Sequence, residues 1–488
     1  MALASAVETG RARVGALLSG WDRYWFGEGS LVRLGAFRIV MLLTALYAVN
    51  QNKMGVFQHA DEIGKELTSR VWDPIYAFQV LGIEPLGPTS ARVAWVALWI
   101  ALWMGILGLW TRLSCAAAAA LTFLWIGTSY SFGKPHHDCV ALVFGLFALP
   151  LAPAGARLSI DALLARIRRT RRGGDPAEAP ETAPWAALPW RLTQWTAAIG
   201  YFFAGASKVA IGGIHWANGY TLQGTMLEFN SPWTATFAQS VLLCQLMSVG
   251  LLVVQATFPL VFAWRPLRWF YVPMGAVFHL LSWMTMATGP FVSLWFTLVS
   301  FVELEKVPAF VKRHVLGGAA MLRPLWGFLV FGTAGFCAWL YTGIFHHAFE
   351  WLIVPLVAAV VIAMWPRSRM TMIYDGGCGI CRATMAWVVS FDWSRRVRVL
   401  DLHRWDEVKA LAADLDRDAC VRDLHAVTER GKVLVGYDAY RAMAARVPVL
   451  FWFAPIMALP GVSHVGSRVY RYVADHRSST TCAAPSVR

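Results

Sequence analysis

The chain has 488 residues, 57% of them hydrophobic and only 15% charged, with a formal net charge of +14. Soluble domains carry about a quarter charged residues, so this balance excludes an ordinary soluble protein and indicates membrane helices with a soluble part. The basic excess invites a nucleic-acid reading, but the arginines crowd beside apolar spans, where positive-inside bias accounts for them, and no nucleic-acid partner is expected.

The opening MALASAVETGRARVGALLSG lacks a compact apolar core and a cleavage site. No removable signal peptide is expected, and residues 1–32 read as a cytoplasmic or interfacial segment. A span needs about 20 mostly apolar residues. Ten candidates follow, at 33–50, 91–110, 113–131, 137–153, 187–210, 240–264, 268–287, 289–304, 323–345 and 348–365. The fourth and eighth are short, which leaves nine or eleven crossings as alternatives. Together they form a transmembrane domain over 33–366, with an arginine-rich loop at 164–184 that contains RIRRTRRGG. Placing that loop in the cytoplasm puts most loop arginines and lysines inside. Both the N-terminus and the C-terminal tail are then cytoplasmic, in a bacterial inner (plasma) membrane.

An ionisable group inside a span costs at least about 2.5 kcal/mol and asks for a reason. SYSFGKPHHDCVAL brings Lys134, His136, His137 and Asp138 to the outer mouth of the fourth span. The fifth span carries Lys208 near its outer end with Tyr201 two turns earlier, and the seventh carries His279. A lysine at a helix end can simply snorkel, and one histidine in a span can be a packing residue. In this topology, however, all of them fall toward one leaflet. A desolvated lysine can act as a base, with a neutral histidine orienting an oxygen-bearing substrate.

The runs W-x-R-Y-W-F and L-x-x-F-R between Trp21 and Arg38, H-H-D ending at Asp138, L-S-I-D at Leu158–Asp161 and Y-F-F-A-G-x-x-K…W-x-x-G between Tyr201 and Gly219 resemble the HTTM family. This is the membrane domain shared with vitamin K-dependent gamma-carboxylases, and the resemblance covers about 20–310. It implies that Lys208 is a base for a reduced quinone of the menaquinone or vitamin K type, assisted by His137 and His279. His136 and Tyr201 would join Lys208 and His279 in binding that cofactor. It departs from the carboxylase pattern where His136 stands in place of an asparagine and Ser207 in place of a second lysine. The large extracytoplasmic part of the carboxylases has no counterpart, so quinol oxygenation to an epoxide carries over more readily than glutamate carboxylation.

From Met370 the composition is that of a soluble α/β domain, over 370–477, followed by a flexible tail at 478–488. RMTMIYD reads as a buried strand, CGICRATMAWVVSFD as a helix, VRVLDL as a second strand and RWDEVKALAADL as an amphipathic helix. LHAVTERGKVLVG reads as a hairpin, with helices at YDAYRAMAARV and SRVYRYVADHR. Cys378 falls at a helix N-terminus, where unpaired N–H groups favour a thiolate. Cys381, one turn on, could resolve a mixed disulfide, with Asp375 as a proton acceptor. The zinc alternative would need two more ligands, and His403, Cys420, His425 and Cys482 form no second C-x-x-C or paired knuckle, so no metal is expected.

Y-D-G-x-C-x-x-C, with V-L-V-G-Y-D-A-Y and Y-R-Y-V-A-D-H-R after it, closely resembles the DCC family of thioredoxin-like thiol–disulfide oxidoreductases. The resemblance implies a thioredoxin-like domain with a redox-active disulfide at Cys378 and Cys381. Its partner would be a thiol protein or a small-molecule reductant, and in the reducing cytoplasm it would act as a reductase or sensor. The expected protein is therefore a polytopic helical membrane bundle fused to a thiol–disulfide oxidoreductase. A quinol-epoxidising enzyme and a non-catalytic redox sensor or scaffold are the rival readings.

Overall fold

A computed structural model describes residues 15–16, 18–51, 53–61, 71–133, 137–172, 180–229, 234–286, 297–306, 313, 368–392, 396–447, 449–451 and 453–477. They divide into two compact units, 1–161 with 180–305 and 162–179 with 306–488. The arginine-rich residues 162–172 thus cluster with the C-terminal part rather than with the helices on either side of them.

Among its described residues the first unit is helical apart from one short pair, β1 (Gly29–Ser30) with β2 (Thr182–Ala183). Its helices are α1 (Leu31–Gln51), α2 (Lys53–Asp61), α3 (Tyr76–Leu81), α4 (Pro88–Leu107), α5 (Thr111–Ser131) and α6 (Val140–Ala148). After α7 (Ile160–Arg171), which leads out of it, come α8 (Leu188–Gly212), α9 (Tyr220–Phe229), α10 (Thr234–Ala238), α11 (Val241–Thr257), α12 (Leu260–Ala263) and α13 (Arg268–Met286). Among the described residues α1, α4 and α5 are long and apolar enough to cross a membrane. Helices also stand where the fourth to seventh spans were expected, the fourth and sixth of them short. Half of the eighth span (289–296), and the ninth and tenth, lie outside the described residues.

Sequence punctuation sets these boundaries. Pro88 opens α4, where its missing N–H costs nothing, and Gly108 closes it in the left-handed region at φ 69°. Asp161 then caps the next helix, accepting the amides of Trp110 at 3.0 Å and Thr111 at 2.7 Å and the Thr111 hydroxyl at 2.7 Å. Burial opposes ionisation of Asp161, but these hydrogen bonds and Arg38 outweigh it and hold the carboxyl below its ordinary range. Arg38, fully buried on α1, donates to Ala154 O and Leu158 O at 2.5 Å each. The L-x-x-F-R and L-S-I-D runs therefore meet in one structural knot at the end of α4.

In the second unit a four-stranded sheet runs in the order β4-β3-β5-β6, made of β3 (Met370–Tyr374), β4 (Val397–Asp401), β5 (His425–Thr428) and β6 (Val433–Val435). β3 and β4 are parallel, joined by the crossover helix α14 (Gly379–Phe391), while β5 is antiparallel to both β3 and β6. A parallel pair needs such a crossover. Side chains alternate across β3. Met370, Met372 and Tyr374 pack with Met385 and Val388 of α14, whereas Ile373 faces Leu400, Val408 and Cys420 on the other side. That second face is covered by α15 (Trp405–Lys409) and α16 (Arg417–Arg422). The first also receives α17 (Tyr437–Ala444), with α18 (Phe453–Met457) and α19 (Pro460–Arg477) completing the unit. Arg166 of α7 donates to Ser390 Oγ on α14 at 2.7 Å.

Candidate active site

β3 is the buried central strand, and its carboxyl end delivers the C-x-x-C loop. Tyr374 O accepts the Leu402 amide at 2.8 Å, which ties the end of β3 to the residue after β4. Asp375 then folds the chain. Its Oδ1 accepts the Gly377 amide at 2.8 Å and its carbonyl accepts the Cys378 amide at 3.1 Å. This Asx turn gives Cys378 extended backbone, φ −89° and ψ 118°, at the N-cap of α14. Cys378 O accepts the Arg382 amide at 3.0 Å and so starts the helix. Cys381 is one turn further along, and both cysteines join the apolar cluster of the sheet's first face. Cys378 is only 1% exposed, flanked by Gly377 and Gly379.

Asp401 and His403 join the three expected residues. Asp401 Oδ1 accepts the Gly376 amide at 3.1 Å and the His403 amide at 3.0 Å, and lies 2.9 Å from His403 Nδ1. The same imidazole nitrogen is 4.0 Å from Asp375 Oδ1. The approach is close enough that a Cβ on Gly376 would run into the Asp401 carboxylate, and one on Gly377 would stand 3.7 Å from His403 Cε1. The half-exposed imidazole therefore lies over the residue that precedes Cys378. Sequence reasoning weighed His403 only as a metal ligand. Its place two residues after the carboxylate that ends β4 becomes a signal only once β3 and β4 are known to be parallel, since strands parallel to one another bring their carboxyl ends together. No group of three possible metal ligands occurs among the described residues. A cavity of about 650 Å³ lies at the other end of the sheet, lined by Arg369, Arg396 and Glu429, and does not reach the cysteines.

In the first unit Tyr201 and His279 are both buried and share a hydrogen bond of 2.6 Å between the hydroxyl and Nε2. Gly275, one turn before His279, permits this, since a Cβ there would be 3.1 Å from the Tyr201 oxygen. Lys208 Nζ donates to Ala204 O at 3.0 Å and Gln255 Oε1 at 3.2 Å, and lies 5.5 Å from the Trp216 ring centroid. Gly205 brings α8 and α11 together here, its absent Cβ leaving 3.0 Å to the Ala256 nitrogen. Gln255, buried and polar near the carboxyl end of the apolar helix α11, escaped the sequence reading. His137 is exposed, whereas the adjacent Asp138 is buried and accepts the Tyr130 hydroxyl at 2.6 Å. Lys134 and His136 lie outside the described residues.

The arrangement of strand, turn and helix defines the second unit as an α/β domain that carries a dithiol at the carboxyl end of its central strand. Residues 372–483 match the family described as DCC1-like thiol-disulfide oxidoreductase. No curated protein and no solved structure matches the chain.

Proposed function

We propose that the chain is a multi-pass protein of a bacterial inner membrane whose cytoplasmic C-terminal domain performs thiol–disulfide exchange at Cys378 and Cys381. The observation that carries this is the seating of Cys378 at the N-cap of α14 with Cys381 one turn on, inside the segment that matches the oxidoreductase family. The strand order, with its parallel pair, crossover helix and hairpin, supports a thioredoxin-like domain.

The chemistry balances without a metal or an organic cofactor. Cys378 loses its proton and its sulfur attacks a substrate disulfide, releasing one substrate thiolate and forming a mixed disulfide. Cys381 then attacks Cys378 Sγ, closing the protein disulfide and releasing the second thiolate. Two electrons pass from the protein dithiol to the substrate, and a thiol protein or small-molecule dithiol restores them. His403, held through Nδ1 by Asp401 near Gly377, serves in this reading as the group that exchanges a proton with the departing sulfur. Because Cys378 is buried, the reaction favours small disulfides or extended peptide segments that can reach past Gly377.

Reduction of a small aromatic disulfide and of insulin by purified full-length protein, with a dithiol as reductant, tests the reading. Turnover is expected in both, faster with the small substrate. Turnover unchanged in Cys378→Ser would overturn it.

A second reading concerns the helical unit. The hydrogen bonds Tyr201–His279 and Lys208–Gln255, set among otherwise apolar helices, support a binding site for a reduced quinone with Lys208 as its base. Oxygen consumption with reduced menaquinone tests it. Uptake as fast in Lys208→Ala as in the wild type would reject the base assignment.

A further inference from the structure

α19 has three faces. Ser463, Gly466, Tyr470 and Ala474, spaced three or four residues apart, turn toward the domain. A Cβ on Gly466 would meet the Tyr437 ring, and Tyr470 OH accepts the Leu424 amide at 2.9 Å while donating to Asp423 at 3.2 Å. The helix is therefore fixed in rotation, and its other faces must look outward. One carries His464, Arg468 and Arg471, the last half-exposed and paired with Asp423 at 3.0 Å, with Asp475 as the only acid of the helix itself. The remaining face is apolar and exposed: Val462, Val465, Val469 and Tyr472, the middle two 59% and 57% exposed. Ile456 and Leu459, 51% and 54% exposed, continue the stripe back through α18. An apolar stripe of six side chains beside a basic face is not what a freely solvated domain presents.

We propose that the apolar stripe of α18 and α19 lies in the anionic headgroup region of the membrane that holds the chain's own apolar helices. The proposal rests on the membrane reading above. An interfacial helix has this form, with an apolar face set into the acyl boundary and cationic side chains beside it at headgroup height. The occupant is lipid rather than a protein partner because the stripe is valine-rich and carries a single aromatic ring, whereas protein hot spots are rich in Trp, Tyr and Arg. The basic face fits the negative surface potential of a cytoplasmic leaflet. Tethering keeps the helix at high effective concentration near the bilayer, so modest affinity suffices. The domain would then rest with α19 against the membrane.

The test is photo-crosslinking of the full chain with p-benzoylphenylalanine at Val465, in nanodiscs of phosphatidylcholine with or without phosphatidylglycerol. Mass analysis of peptides spanning 453–477 is expected to show lipid adducts in the anionic discs. They should fall about fivefold in neutral discs, and about fivefold in Arg468→Ser in the anionic discs. The same probe at His464 should give few. Adducts to residues 307–367, to a second copy, or to lipid irrespective of headgroup charge would overturn the proposal, as would an absence of lipid adducts. Failure of the membrane reading is distinguishable, because the chain would then be released from cell membranes by alkaline carbonate.

Discussion

His403 Nδ1 lies 2.9 Å from Asp401 Oδ1, and that same oxygen accepts the backbone amide of Gly376. One carboxylate thus holds both the loop that delivers Cys378 and the imidazole beside it. The two roles separate by mutation. His403→Gln should leave the loop in place, lower kcat by about 10²-fold and flatten its pH dependence. Asp401→Ala should do both kinds of harm, lowering turnover and destabilising the domain by about 1–2 kcal/mol through the lost charged acceptor. Asp401→Asn keeps one acceptor oxygen and should be the milder variant. Steady-state rates across pH, with thermal unfolding of the same preparations, check this. An unaltered pH profile in His403→Gln would remove the imidazole from the proton transfer.

Gly376 is the tightest point of the loop, since any side chain there meets the Asp401 carboxylate. Gly376→Ala should cost about 1–3 kcal/mol by overpacking and pull the loop from Asp401. Gly377→Ala, whose added carbon would stand 3.1 Å from Asp375 Oδ1, should cost less. Comparison of their midpoints of thermal unfolding orders the two.

Much of this domain was legible in the sequence because local rules agreed with tertiary ones. The strand at RMTMIYD, the helix after the cysteines and the hairpin in LHAVTERGKVLVG all stand where period and turn residues put them. The β3–β4 pairing was not legible. A single sequence shows that strands exist but not which lie side by side, so the carboxylate and histidine after β4 could not be brought to Cys378. In the helical unit Lys208 and His279 drew notice because charge in an apolar run is conspicuous. Gln255 is polar without charge, and only the close approach of α8 and α11 at Gly205 gives it meaning. The Arg38 and Asp161 motifs were visible as motifs, but their work as a structural knot required the fold.

Cys420 offers a pH test of the sheet's second face. Burial, with Asp416 nearby, raises its thiol from an ordinary 9.0 to about 11. The folded domain therefore holds this proton where the unfolded chain gives it up. The stabilisation is fully present below pH 9 and is lost as pH rises through 11. Unfolding midpoints should fall over that window, and less so in Cys420→Ala. In native protein at pH 8 iodoacetamide should label Cys420 far more slowly than in urea, and equal rates would contradict its burial.

Gln255 decides between two accounts of Lys208. If the lysine only reaches toward the headgroups, its contact with Gln255 is incidental, and Gln255→Leu should leave the helical unit unchanged in activity and stability. If Lys208 is the base for a bound quinol, Gln255 Oε1 fixes where the ammonium points, because the alternative acceptor is the backbone carbonyl of Ala204 one turn back. Removing a hydrogen-bonded partner of a charged group costs about 1.5–3 kcal/mol, equivalent to about ten- to a hundredfold in rate when the loss falls on the transition state. Gln255→Leu should then lower menaquinol-dependent oxygen uptake by that factor. Gln255→Glu, which keeps an acceptor at the same reach, should retain more of it. Tyr201→Phe, which removes the hydroxyl bonded to His279, is the parallel experiment on the other pair. A loss in Gln255→Leu with Lys208→Ala at wild-type rate would show that Gln255 acts by packing and that Lys208 is not the base.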